Sequence, residues 1–254
     1  MKLRISCALC FVVLAVAAHD SRVPVLYAQD GPHFAGAHPA SVAASARTTP
    51  LARFLADTEQ KLVSYQALRR MTVTARGGKM VATLTARTSF DPVKGFQYTV
   101  LDESGSGMLR TRVLHGVLEA EREAKQRQQG AHGALTAANY RFGPGEVTAE
   151  GLVRVGIHPV RKDSLLVEGS IFLTHDGADL IRMEGLLVKR PSFWTRKVQI
   201  VRDYSRIAGV RVPIATGSTA DVLFAGQSIF SMTYEYETIN DAAVSTPPAG
   251  ALPR

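Results

Sequence analysis

Cysteine is nearly absent from this chain. Of 254 residues only two are cysteines, Cys7 and Cys10, and both lie inside the one long apolar run, at the N-terminus. Without that run the chain has no thiol, which excludes a disulfide framework, a thiol nucleophile and a cysteine metal site. No second apolar run approaches spanning length, which excludes a helical membrane protein. Catalytic motifs are missing as well. There is no Gly-x-Ser-x-Gly elbow, phosphate loop, His-Glu-x-x-His pair or dinucleotide fingerprint. His33, His38, His115, His132, His158 and His175 are scattered without evident ligand partners. Neither a metal centre nor a histidine base is expected, and no cofactor.

The N-terminal run reads as a secretory signal. Lys2 and Arg4 form a basic start, and Ile5 to Ala18 is an apolar stretch ending in small residues. Cleavage fits after Ala18 or after Ala28. Cys10 follows Leu9 and sits too early for a lipidation box, so the exported product is expected to be soluble and not lipid-anchored. Removing residues 1–28 leaves a net charge of +6. That excess could suit an anionic membrane or acidic ligand, but it is spread along the chain as a solubilising surface would be. Residues 29–49, rich in Ala, Ser, Pro and His, read as a disordered linker, and 241–254, with Pro247-Pro248, as a disordered tail. The folded domain is expected over 50–240, and the whole chain is 46% hydrophobic, ample for a core.

A first helix is expected from Thr49, as cap, and Pro50 to about Ala67, with Leu51, Phe54, Leu55, Thr58, Leu62 and Tyr65 on one face. The period then becomes two. Arg70–Arg76, the turn Gly77-Gly78 and Lys79–Phe90 predict a hairpin, and Phe96 to Asp102 a third strand. A second helix is expected over Met108–Gln128, opened by the Ser104–Gly107 loop, with Leu109, Val113, Leu114, Val117, Leu118, Ala120 and Ala124 inward. Seven strand signals follow: 140–142, 152–158, 164–174, 179–189, 196–207, 210–224 and 227–239. The inferred fold is mainly β (α+β): a curved antiparallel half-barrel of about ten strands, with helices covering its concave face.

Few residues invite a chemical role. Glu119, Glu121 and Glu123 are spaced i, i+2 and point to different helix sides, so they read as a solvated face and not as a paired acid and base. Lys189, Arg190, Arg196 and Lys197 flank Phe193-Trp194, a basic and aromatic cluster. In an exported chain this suits a rim loop or a ligand or membrane contact better than a nucleic-acid surface.

The order helix, two or three strands, helix and long meander in an exported, cysteine-free chain resembles the LolA/LolB-like outer-membrane lipoprotein-sorting family, as an uncharacterised, divergent branch. The likeness spans Leu51 to Asn240. It is strongest at 135–142 (LTAANYRF), 160–163 (VRKD), 166–169 (LVEG), 182–185 (RMEG), 191–194 (PSFW) and 232–236 (MTYEY). The resemblance implies a periplasmic carrier or chaperone, not an enzyme, that binds lipid or lipoprotein acyl chains in an apolar cavity under helical lids. It also implies transient membrane-protein partners in outer membrane biogenesis. The family's carrier holds its lid with an arginine near the end of an early strand. Arg87 lies in a comparable place, but Thr85-Ala86-Arg87-Thr88 does not match, and the role is not carried over. A monomer that binds no nucleic acid is expected. The alternatives are a periplasmic lipid-sensing or envelope-stress regulator of the same fold, and an exported enzyme with a dispersed active site. An enzyme should show a convergent polar cluster. Strand alternation places Met71, Val73, Leu84, Phe96, Tyr98, Met232 and Tyr234 on the concave side as ligand-binding residues, with Phe193 and Trp194 at the mouth.

Overall fold

The structure is a computed structural model, and it describes residues 49–56, 60–127, 129–189, 195–223 and 226–244. The expected signal, most of the expected linker, Phe193-Trp194 and the end of the expected tail lie outside the described residues.

Helix α1 is Pro50–Ala56, and Thr49 Oγ1 accepts from Ala52 N–H at 3.2 Å as the expected cap. The strands are β1 (Tyr65–Ala75), β2 (Met80–Asp91), β3 (Gly95–Gly105), β4 (Tyr140–Val147), β5 (Leu152–Pro159), β6 (Val167–Thr174), β7 (Leu180–Leu187), β8 (Thr195–Ile207), β9 (Val210–Val222), β10 (Gly226–Ile239) and β11 (Ala242–Ala243). Between β3 and β4 runs one helix of 20 residues, here α2. It consists of Gly107–Leu109, a π-helical turn Arg110–Leu114 and His115–Gln126. A 3₁₀ turn, Gln129–Gly133, follows.

All strands join one open antiparallel sheet in the order β3-β2-β1-β10-β9-β8-β7-β6-β5-β4, with β11 beside β10. The chain therefore begins mid-sheet, builds outward to β3, and crosses to the far edge through α2. From there it meanders back until β10 pairs with β1. Register shows what faces inward. Leu84, Met71, Met232, Thr216, Arg202, Met183, Ile171 and Val155 follow one another across β2, β1, β10, β9, β8, β7, β6 and β5. All eight are buried, and the core lies between this face and the helices.

One expectation is corrected. The first helix does not reach Ala67: α1 ends at Ala56, and Tyr65 already opens β1. β1 is hydrogen-bonded on both sides, to β2 and to β10, along its whole length. Those two ladders outweigh a helical stripe of modest amphipathicity. α1 is instead pinned by Arg53, which donates to the carbonyls of Asp176 and His175 at 2.6 Å each. Arg211 stacks over the Phe54 ring at 4.6 Å.

Strands β6 and β7 approach closely where two glycines meet. Gly169 and Gly185 are register partners, and a Cβ on Gly169 would stand 2.0 Å from the Glu184 carbonyl oxygen. Only glycine allows the two backbones to come this close. Gly169→Ala should therefore lower stability by about 1–3 kcal/mol, the usual cost of overpacking. Gly107→Ala, at a helical position with no close neighbour, should be neutral or stabilising. Urea unfolding of both variants checks the contrast.

Candidate functional site

Inward-facing β1 residues alternate Tyr65, Ala67, Arg69, Met71 and Val73, so a guanidinium stands in an apolar column. Helix α2 supplies its partner. Leu114, Val117, Leu118 and Glu121 recur at helical spacing on the buried side, and the helix packs on β1, β2 and β3. Arg69 and Glu121 are 1% and 2% exposed and form a two-pronged ion pair. Arg69 Nη1 donates to Glu121 Oε2 at 2.5 Å and Nη2 to Oε1 at 3.0 Å. Nη2 also donates to the Tyr65 hydroxyl at 2.8 Å, and that hydroxyl donates to Glu121 Oε1 at 3.1 Å. The rings of Tyr234, Phe96 and Tyr65 surround the guanidinium at 4.8, 5.3 and 5.9 Å.

Burial by itself would raise the Glu121 carboxyl, but the charge and hydrogen bonds of Arg69 prevail and hold it below the ordinary carboxylate range. Burial likewise opposes the Arg69 charge, and Glu121 more than restores it. Burial pushes the Tyr65, Tyr234 and Tyr236 hydroxyls up, so all three stay neutral near pH 7. Lys125, one helical turn beyond Glu121, is lowered by burial and lies over the Phe90 ring at 4.4 Å. A second buried guanidinium, Arg202, interrupts the inner row on β8. Burial would lower its pKa, and Tyr204 and Tyr234 turn the shift upward.

This corrects the reading of the three glutamates as a solvated face. Glu121 is interior, because it continues the stripe of Leu114, Val117 and Leu118, and its charge is matched by Arg69. Glu119 accepts from the half-buried Tyr98 hydroxyl, which burial and that carboxylate push up to about 12. Glu123 is exposed and pairs with Arg127. Arg87, on the outer face, pairs with Glu237.

Of the ligand-binding residues expected from the sequence, Met71, Val73, Leu84, Phe96, Met232 and Tyr234 are buried on the inner face, and Tyr98 is half-buried beside them. Phe193 and Trp194 lie outside the described residues. Arg69, Glu121, Tyr65 and Arg202 were not expected in the site. A convergent polar cluster is therefore present; within it Arg69 and Glu121 neutralise each other, and Arg202 adds a second guanidinium beside Tyr204 and Tyr234. A carboxylate with a lowered pKa and a bound guanidinium is a weak general base and holds no proton to donate. Among the described residues no trio of His, Cys, Asp or Glu could hold a metal ion. No described helix is long and apolar enough to cross a membrane.

The sequence matches no protein-family model and no curated protein. Among solved structures it is similar to a "putative outer membrane lipoprotein-sorting protein domain" from Vibrio parahaemolyticus, at 8% identity and a TM-score of 0.38. That match covers 72% of this chain and 87% of the other. It is also similar to a DUF1329 family protein from Desulfovibrio piger, at 10% identity and a TM-score of 0.33, covering 73% and 88%. The first is of the kind that the sequence resembles. Likeness this distant carries nothing about ligands, which have to follow from the chain's own residues.

The buried pair makes a directional prediction. Arg69→Met alone strands the Glu121 charge and should cost about 3–5 kcal/mol, whereas Arg69→Met with Glu121→Leu should recover most of the loss. Urea denaturation of the singles and the double measures this. The folded-state pKa of Glu121 is lowered, so its contribution is complete above about pH 4.3, the unfolded value. It is lost as pH falls through the lowered value. Stability of the double variant should accordingly fall less on acidification than that of the wild type.

Proposed function

We propose that the protein is an exported, soluble carrier that holds lipid or lipoprotein acyl chains between the inner face of its sheet and helix α2. The observation that carries this reading is the inner row: six of its eight side chains are apolar, broken only by Thr216 and Arg202, and a single long helix packs over its β1–β3 end. Three of the six are methionines, Met71, Met183 and Met232. Unbranched, polarizable thioethers repack at low cost, which suits a surface that must accept chains of varied shape. The helix that covers part of this face is fixed by one interior ion pair as well as by apolar contact, and it can lift as a unit without unravelling the sheet.

Binding of this kind needs no catalyst, metal or cofactor. The internally neutralised Arg69–Glu121 cluster favours a structural role over an enzymatic one. The chain would act as a monomer in the periplasm and meet membrane-protein partners only transiently, when a chain is loaded or released.

Affinity should rise with chain length, because each methylene removed from water contributes about 0.8 kcal/mol. Displacement of a fluorescent acyl probe by saturated fatty acids should strengthen on the order of 100-fold between 12 and 16 carbons. An affinity independent of chain length, or no saturable uptake of the probe, would contradict the proposal.

A further inference from the structure

Antiparallel pairing sorts every connection of the sheet onto one of two rims. One rim carries the β1–β2, β5–β6, β7–β8 and β9–β10 connections and the start of α2. The other carries the β2–β3, β4–β5, β6–β7 and β8–β9 connections. Charge divides along the same line. Arg76, Lys79, Lys162, Lys189, Arg196 and Lys197 stand on or next to the first rim, all exposed. None of these six forms a salt bridge among the described residues. Carboxylates near this rim are already engaged: Glu103 with Arg110 and His115, Asp163 with Arg161, and Glu168 with His158. Asp221 lies across from Lys197 in the register.

The second rim is close to neutral: Asp91, Glu150, Asp176, Asp179 and Asp241 stand there with Lys61, Lys94, Arg53, Arg206 and Arg211, and Arg206 is paired with Asp179. On the outer face, by contrast, cations are matched: Arg70 with Glu235, Arg87 with Glu237 and Arg182 with Asp203. The net positive charge is therefore not spread evenly, as the sequence alone suggests. Its unmatched part is concentrated on one rim.

We infer that this basic rim docks the protein end-on to an anionic phospholipid surface, with the opposite rim directed away. Such one-sided positive charge orients the molecule before contact. Val81, Met108 and Val160 are partly exposed at the same rim, so the lysine stems have apolar neighbours to lie along while their ammonium groups reach the headgroups. Apolar side chains are exposed at the other rim too, Val93 and Val147 among them, so charge and not apolarity distinguishes the two ends. Aliphatic side chains beside lysines, among the described residues of this rim, suit a lipid surface. The inference goes beyond the carrier reading, since a protein holding no acyl chain would dock in the same way.

Co-sedimentation of the purified protein with vesicles tests it. Wild-type protein should bind vesicles of phosphatidylglycerol and phosphatidylcholine, bind pure phosphatidylcholine at least tenfold more weakly, and be released as salt rises. Each rim cation contributes about fivefold. The variant Lys79→Glu/Lys162→Glu/Lys189→Glu/Lys197→Glu should therefore lose more than 100-fold in binding. Lys61→Glu/Lys94→Glu, on the opposite rim, should stay within about twofold of wild type. Thermal melts establish that both variants are folded, and single Lys→Glu changes replace the quadruple variant if it is not. Equal binding to neutral and anionic vesicles, full binding by the rim variant, or binding to an oligonucleotide but to no vesicle would overturn the inference.

Discussion

A guanidinium and a carboxylate taken out of water together dominate the interior of this protein. Desolvating either alone would cost several kcal/mol, and the two are tolerable only because they meet in a two-pronged geometry with Tyr65 closing the network. That requirement fixes where α2 sits. The helix must place Glu121 over residue 69 of β1, and sliding by even one turn would leave both charges buried and unmatched. A face of leucines and valines would hold the helix against the sheet in several registers. The ion pair selects one.

The strand that carries Arg69 is also the hub of the topology. β1 joins the first hairpin to β10, the last long strand, so the two halves of the chain meet along one ladder. The α2 crossover turns what would be a flat meander into a face with a cover. Gly169 and Gly185 let β6 and β7 approach closely. The result is a largely apolar inner surface with a registered helix over part of it.

Most of the sheet was legible because its strands alternate cleanly between sharp turns, and the seven strands after α2 appear close to where the sequence places them. The extent of α1 was not legible. Leu51, Phe54, Leu55, Leu62 and Tyr65 fall on one helical face by spacing, and nothing local reveals that Tyr65 pairs with both Phe90 and Ile239. The pairing of β1 with β10 is a contact across more than 150 residues. The central ion pair was partly readable. Arg69 shares the parity of Met71 and Val73, and Glu121 lies on the stripe of Leu114, Val117 and Leu118. A charged residue in phase with a buried face is the signal. Read one residue at a time, each side chain looks like surface. Only the fold shows that the two meet.

The account makes α2 a latched cover that opens apart from the sheet. Native-state amide hydrogen exchange tests this most directly, comparing wild type with Glu121→Gln, which removes the charge and keeps the shape. The account predicts that amides of Val113–Lys125 exchange through an opening of lower free energy than those of β1 and β10. It also predicts that the substitution lowers α2 protection at least tenfold more than sheet protection. Exchange of α2, β1 and β10 together through a single global opening, in both proteins, would contradict it.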